Sequence, residues 1–193
     1  MKNVFALLAF CLFAFPLFAA DKKADVTLTL GAENAPVVID EYASLGCSHC
    51  ADFHLNALPQ VKRDFVDTGR VKIIFHHFPL DKASVDAAVL VQCAPTAQRW
   101  SLVELLYQDQ NNWARDPKYR EKLAGYGAML GMKDETIQSC LKSTQRRDDI
   151  LRARVEAHKK LQIESTPTFM INGTARLKGS QTYQQIASII NNM

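Results

Sequence analysis

The sequence predicts an α/β protein in which a β-sheet domain is interrupted by an α-helical subdomain. Three observations predict this class. A strand–helix–strand pattern occupies the first half, the middle carries helical periodicity without a convincing strand, and a β-hairpin followed by a helix closes the chain. We therefore expect residues 21–80 and 162–193 to form the two parts of one α/β domain, and residues 81–161 to form the helical insertion.

The first twenty residues have the pattern of a secretory signal peptide. Lys2 supplies a basic start, residues 4–18 are apolar, and the small residues Ala19 and Ala20 precede a polar stretch. A membrane anchor is the alternative, but the apolar run is shorter than the ~20 residues that cross a bilayer. We expect residues 1–20 to be removed near residue 19 or 20, and the mature protein to be exported.

Composition adds little beyond a globular domain. The formal net charge of the whole chain is +3, and removal of Lys2 with the signal lowers it by one. Such a balance is too weak to indicate a nucleic-acid partner. One domain is expected from the length.

The first strand–helix–strand unit is predicted by β-branched runs on either side of a helical pattern. Residues 37–42 form a buried strand, residues 71–78 a second strand, and residues 27–30 a short edge strand. The helix between the two main strands is expected to break or kink at Pro59 and to end near Gly69. A right-handed crossover makes the two main strands parallel.

Helical spacing and turn residues organise the remainder of the chain. The Asn172–Gly173 dipeptide predicts a two-residue hairpin turn. Strands 168–171 and 174–178 are expected on either side of the turn, and helix 182–190 is expected to close the chain. The helices expected in the insertion are 84–93, 96–109, 118–130, 136–141 and 146–161.

A Cys-x-x-Cys motif stands where the strand 37–42 ends and a helix begins. Cys47 and Cys50 are close enough to close a small disulfide ring, and a helix N-terminus favours the thiolate of the first cysteine. Cys11 leaves with the signal, so Cys93 and Cys140 remain. In an oxidising compartment we expect them to form a structural or modulating disulfide, although two buried free thiols are the alternative.

The motifs and their order resemble the DsbA-like family, the exported thiol-disulfide oxidoreductases of the bacterial periplasm, which have a thioredoxin-like fold and an inserted α-helical subdomain. The resemblance implies that the mature protein is periplasmic. The resemblance extends from about Val37 to the C-terminus. It rests on the sequence Cys-Ser-His-Cys at 47–50, on Ser-Thr-Pro-Thr-Phe at 165–169, and on Ile-Asn-Gly at 171–173. Ser48 departs from the proline that the best-known oxidases carry at this position, and it should shift the reduction potential.

The resemblance implies a role for each of the site residues. Cys47 is the sulfur attacked by a substrate thiolate, and Cys50 closes the ring. His49 would further stabilise the Cys47 thiolate. Pro167 resembles the cis-proline that faces the cysteines, where it and Thr166 bind an extended substrate. Glu41 matches a buried acid that takes or gives a proton, although strand alternation lets only one of Asp40 and Glu41 face inward.

The predicted function is disulfide donation to reduced, unfolded exported proteins. A DsbB-like membrane reoxidase is the expected redox partner, the protein is expected to be a monomer, and no cofactor or metal is expected. A zinc site at His76 and His77 is disfavoured because adjacent strand residues face opposite ways. The alternatives are an isomerase or reductase on the same fold and a peptide-binding, chaperone-like module.

Overall fold

The computed structural model describes residues 26–193. The predicted signal peptide therefore lies outside the described residues. Within them, no helix combines the length and apolar character needed to cross a membrane.

A five-stranded mixed sheet forms the centre of the α/β domain. Its spatial order is β1-β3-β2-β4-β5, and β2 pairs with β3 in parallel while every other neighbouring pair is antiparallel. The α/β class, the edge position of β1 and the parallel pairing agree with the sequence pattern. The strands are β1 Thr27–Leu30, β2 Val37–Ala43, β3 Val71–His77, β4 Thr168–Ile171 and β5 Ala175–Lys178.

The helix after the cysteine motif runs through 48–66 without the expected break at Pro59. Pro59 is the second residue of a short α-helical turn, and π-helical turns flank it on both sides. Proline has no N–H and its ring crowds the carbonyl four residues earlier, so a widened turn keeps the helix continuous. The segments are α1 Ser48–Asp52, the π-turn Phe53–Ala57, α2 Leu58–Val61 and the π-turn Lys62–Val66.

Six helices separate β3 from β4 in the chain. The predicted helix over 96–109 is a 3₁₀ turn, Thr96–Gln98, followed by α4, and a short additional helix, α5, comes next. A side-chain cap from Asp81, which accepts the Ser84 N–H at 2.7 Å, begins α3. The helices are α3 Lys82–Cys93, α4 Arg99–Gln108, α5 Gln110–Trp113, α6 Tyr119–Met129, α7 Asp134–Lys142 and α8 Thr144–Leu161.

The closing hairpin and helix follow the sequence signals closely. Asn172 and Gly173 both have positive φ, and the Thr174 N–H donates to the Ile171 carbonyl at 3.1 Å, as in a type I′ turn. The second strand begins one residue later than expected, at Ala175. Helix α9, Tyr183–Asn191, starts with a capping box between Thr182 and Gln185.

Two large apolar clusters and a small third one, formed by Tyr42, Phe78 and Ile163, fill the interior of the described chain. The insertion core joins the helical insertion to one end of the sheet and contains Leu45, Cys50 and Trp113. The sheet core packs the rest of the first helical run and α9 against the sheet, and it contains Phe53 and Phe169. The helical run 48–66 therefore begins in the insertion core and continues in the sheet core, with the cysteine motif at the seam.

Candidate active site

Cys47 is the N-cap residue of α1, directly after the loop that leaves β2. Its backbone is extended (φ −86°, ψ 121°), and its carbonyl accepts the N–H groups of Cys50 and Ala51, both at 3.1 Å. Cys47 is half-buried, whereas Cys50 is fully buried, and both thiols are free in this structure. The more accessible sulfur is thus the first of the pair, at the end of the helix where N–H groups are unsatisfied.

The two thiols differ sharply in acidity. Hydrogen bonding from the Cys50 thiol, the largest cause, lowers the pKa of Cys47 to about 5. Partial burial opposes this shift, while the Thr166 side chain and the backbone N–H groups of Cys50 and His49 support it. Burial, followed by the Cys47 thiol and its charge and by the charge of Glu41, raises the pKa of Cys50 well above its ordinary value. At neutral pH the reduced site therefore holds a Cys47 thiolate beside a protonated Cys50.

The loop before β4 faces Cys47. The Thr166–Pro167 peptide bond is cis, and the Cys47 thiol lies 3.4 Å from the Thr166 carbonyl oxygen, to which it donates when protonated. The buried Thr166 hydroxyl has no other partner in the described part of the chain, which leaves it free to donate to the thiolate. Thr166 and Pro167 therefore form the wall opposite the reactive sulfur.

Ser48 and His49 are both exposed on the first turn of α1. It is the backbone N–H of His49 that contributes to the low pKa of Cys47. The expected electrostatic effect of the imidazole, and the effect of Ser48 on the reduction potential, stay predictions.

Glu41 faces the interior and Asp40 faces the opposite side of the sheet. Glu41 is fully buried, whereas Asp40 pairs at 2.7 Å with the partly exposed His76. Strand alternation thus assigns the inward acid to Glu41. The His54 Nε2 lies 3.0 and 3.2 Å from the two Glu41 carboxylate oxygens.

His54 was missed in the sequence, although a signal for it exists. It lies four residues after Cys50, and residues four apart share one face of a helix. That face points into the core, so a histidine there needs a buried partner.

Side chains from the helical insertion hold the loop that carries Cys47, and the sequence pattern did not reveal them. Each makes a hydrogen bond to the backbone of residues 44–47. The bonds are Gly46 N–H to Ser84 Oγ at 3.1 Å, Tyr107 hydroxyl to Ser44 carbonyl at 3.2 Å, and Gln110 Nε2 to the Leu45 and Cys47 carbonyls at 2.7 and 3.0 Å. The insertion therefore holds the loop that carries Cys47 in place.

Gly46 is required where the loop meets the insertion. A Cβ atom on Gly46 would lie 2.5 Å from Ser84 Oγ, closer than real Cβ contacts allow. The missing side chain lets α3 approach the loop backbone.

Cys93 and Cys140 form a disulfide in the structure. It joins the end of α3 to α7, with a Cα–Cα distance of 6.3 Å. It lies in the insertion, apart from the Cys47–Cys50 pair. Its expected structural or modulating role stays a prediction.

His76 and His77 lie on opposite faces of β3. His76 pairs with Asp40, whereas His77 is buried, and burial together with His76 and Arg99 lowers its pKa to about 3. Over residues 26–193, no group of three or more His, Cys, Asp or Glu side chains could hold a metal ion.

Comparison with known proteins places the chain among redox proteins. A family described as Thioredoxin matches residues 23–192. A Rickettsia felis protein provisionally named a protein-disulfide oxidoreductase is 28% identical over 82% of this chain and 57% of its own length. Disulfide bond formation protein D of Bacillus subtilis is 24% identical over 83% of this chain and 74% of its own length.

Solved structures agree with this assignment. The crystal structure of Wolbachia pipientis alpha-DsbA1 superposes with a TM-score of 0.77 and 26% identity, covering 94% of this chain and 92% of that chain. Oxidised BdbD from Bacillus subtilis shares the fold, with a TM-score of 0.78, 23% identity, and coverage of 86% and 92%. The chain spans little more than half the length of the Rickettsia felis protein.

Proposed function

Because the chain belongs to the thioredoxin family, and within it to the DsbA-like thiol-disulfide oxidoreductases, we propose that it donates the Cys47–Cys50 disulfide to reduced exported proteins. The observation that carries the proposal is the contrast between the two sulfurs. Cys47 is half-exposed with a pKa lowered to about 5, whereas Cys50 is buried with a raised pKa. A stabilised Cys47 thiolate is a good leaving group, which is what a disulfide donor requires.

The reaction proceeds through two exchanges. A substrate thiolate attacks Cys47 Sγ of the oxidised protein, the new substrate–Cys47 bond forms, and Cys50 leaves as a thiolate that takes up a proton. A second substrate thiolate then attacks the substrate sulfur of this mixed disulfide. The substrate disulfide forms, Cys47 departs as the thiolate, and the protein is left reduced by two electrons.

The substrate-binding wall is formed by Thr166 and Pro167. Because Pro167 has no N–H, the neighbouring backbone groups of this loop are available to an extended peptide. The substrates are reduced, unfolded proteins in the periplasm, where the protein acts as a monomer. A DsbB-like membrane reoxidase then restores the Cys47–Cys50 disulfide.

Two measurements on the mature protein test this proposal. The first is the reduction potential of the Cys47/Cys50 couple against glutathione, which we expect to lie well above that of thioredoxin, ~−270 mV. The second is disulfide formation in a reduced, unfolded substrate, with Cys47→Ser as the inactive variant and Ser139→Ala, on α7, as the matched control. Full activity of Cys47→Ser would refute the proposal.

An isomerase or reductase on the same fold is the second candidate. A reduction potential close to that of thioredoxin, together with efficient reduction of insulin, would favour it. A chaperone-like module is the third candidate. It would suppress aggregation of an unfolded protein equally well with and without Cys47, through the loop at Thr166 and Pro167.

A further inference from the structure

A buried acid–base pair, Glu41 and His54, lies beneath the cysteines. Glu41 on β2 is 0% exposed, and His54 on the first π-turn is 5% exposed. The His54 Nε2 lies 3.0 and 3.2 Å from the two carboxylate oxygens, so a single N–H is shared between them. His54 Nδ1 is buried and has no partner in the described chain. Among the described residues, the carboxylate is therefore the only hydrogen-bond partner of the imidazole.

The surroundings of the pair are mostly aromatic. The His54 ring centroid lies 4.3 Å from that of Tyr107 on α4, 5.8 Å from that of Phe75 on β3 and 6.1 Å from that of Trp100. The titratable groups around the pair include Cys50 one helical turn earlier, Cys47, and the Tyr107 hydroxyl on the Ser44 carbonyl. Glu104 lies on the Trp100 indole N–H, and His77 lies across the Phe75 ring.

A carboxylate in such a site keeps its charge only while a donor satisfies it. A buried, unpartnered carboxylate becomes protonated instead, because an uncompensated charge is costly in an apolar interior. The charge on Glu41 also acts on the cysteine, since it helps to raise the pKa of Cys50. Glu41 also contacts His54, which lies one helical turn after Cys50, so the acid sits on the side of the helix that carries Cys50 and is coupled to the proton that Cys50 gains and loses.

We propose that His54 is a positioning residue for disulfide exchange: it holds the Glu41 carboxyl group in the orientation from which that group exchanges a proton with Cys50. The inference rests on the proposed function and deepens it. When a substrate thiolate opens the Cys47–Cys50 disulfide, the departing Cys50 thiolate takes a proton from protonated Glu41. When the reduced protein is reoxidised by a disulfide, ionised Glu41 takes the Cys50 proton. Cys50 then attacks Cys47 Sγ, the Cys50–Cys47 bond forms, and the other thiolate leaves.

The reaction of the reduced protein with glutathione disulfide separates the two steps. Attack by Cys47 forms the mixed disulfide, and attack by Cys50 then releases the second glutathione. For His54→Leu, we expect an unchanged first step and a second step slower by about 10- to 100-fold near neutral pH. This is at or below the lower limit of the ~10²–10⁴-fold that a positioned acid or base contributes, because His54 acts only through Glu41. The pH at which the second step reaches half its maximal rate should also rise.

Two further variants identify the route of the effect. Glu41→Gln should slow the second step at least as much as His54→Leu. The double variant should be no slower than Glu41→Gln, because His54 acts through Glu41. His54→Gln retains an amide donor and should recover part of the rate.

The opposite face of the sheet supplies a matched control. His76→Leu removes a second histidine–carboxylate contact, which His76 on β3 makes with Asp40, the neighbour of Glu41 on β2. It should leave both steps unchanged. An unchanged pH profile of the second step in His54→Leu would overturn the inference, and so would equal slowing of both steps. If the protein reacts normally with glutathione disulfide but does not donate its disulfide to a reduced, unfolded substrate, that result counts against the proposed function alone.

Discussion

Acidification should remove a stabilisation that only the reduced protein has. The pKa of Cys47 is lowered in the folded state from its ordinary value of 9.0 to about 5. A lowered pKa stabilises the folded protein above the unfolded-state pKa, and this contribution is lost as pH falls through the folded-state value. The oxidised protein has no Cys47 thiolate and lacks the effect. The stability advantage of the reduced form should therefore shrink between about pH 9 and pH 5.

The size of the effect follows from the pKa difference. At about pH 7, two pH units separate the medium from the folded-state pKa, which corresponds to ~2.7 kcal/mol at ~1.36 kcal/mol per unit. Cys47 is only half-buried, so solvent screening reduces this to roughly 1–2 kcal/mol. A preference of that size for the reduced form raises the reduction potential by roughly 20–45 mV.

Denaturant unfolding of the reduced and oxidised proteins, from weakly alkaline to acidic pH, measures this difference directly. Ultraviolet absorbance of the thiolate, with the oxidised protein as blank, gives the pKa of Cys47. Cys50→Ala removes the thiol hydrogen bond that is the largest cause of the low pKa of Cys47, so it should raise that pKa. His49→Gln should raise it less, because this variant retains the backbone N–H of residue 49. A Cys47 that titrates near its ordinary pKa, or parallel stability curves for the two redox forms, would refute the reasoning.

Three further changes have defined outcomes. Gly46→Ala should lower the free energy of unfolding by roughly 1–3 kcal/mol, because the new Cβ would lie 2.5 Å from the Ser84 hydroxyl on α3. Gly125→Ala has open space around the new Cβ and should not destabilise the protein. Equal effects of the two substitutions in denaturant unfolding would contradict the contact. Replacing Cys93 and Cys140 together by Ala should lower the free energy of unfolding by about 4 kcal/mol, and an unchanged midpoint would show that the bridge is dispensable. Burial lowers the pKa of His77 to about 3. The free energy of unfolding should therefore fall by ~1.4 kcal/mol per pH unit as pH drops below ~6.5, and His77→Leu should make this fall less steep. An unaltered slope in the variant would count against the prediction.

The thioredoxin-like fold and the DsbA-like family were predicted correctly because they depend on local patterns. The buried strand before Cys47, the helix after it and the Asn172–Gly173 turn each have a signature within a few residues. The alternation of β2 also separates Glu41 from Asp40. A break or kink was expected at Pro59, with the helix continuing beyond it. The two π-turns that flank Pro59 were not predicted, since a π-turn depends on packing along both sides of the helix and has no reliable sequence signal.

The support around the site was harder to infer from the sequence. His54 could have been found from its spacing to Cys50, but its contact with Glu41 requires the strand and the helix to be docked. The side chains of Ser84, Tyr107 and Gln110 reach the loop from 38 to 65 positions away in the sequence. No periodicity links such residues to the motif, because only tertiary packing brings them together.

The hydrogen bonds from the insertion to the loop allow the redox motif to be adjusted from a distance. Gln110 holds two carbonyl groups of the loop, and Tyr107 holds a third. Substitutions on α4 and α5 can therefore move the sulfur of Cys47 relative to its N–H donors while leaving Cys-Ser-His-Cys intact. Two homologues with identical motifs can differ in oxidising strength for this reason, and the dipeptide between the cysteines is an incomplete guide to redox behaviour. The reduction potential can therefore be engineered at a second set of positions, outside the motif and away from the loop at Thr166 and Pro167.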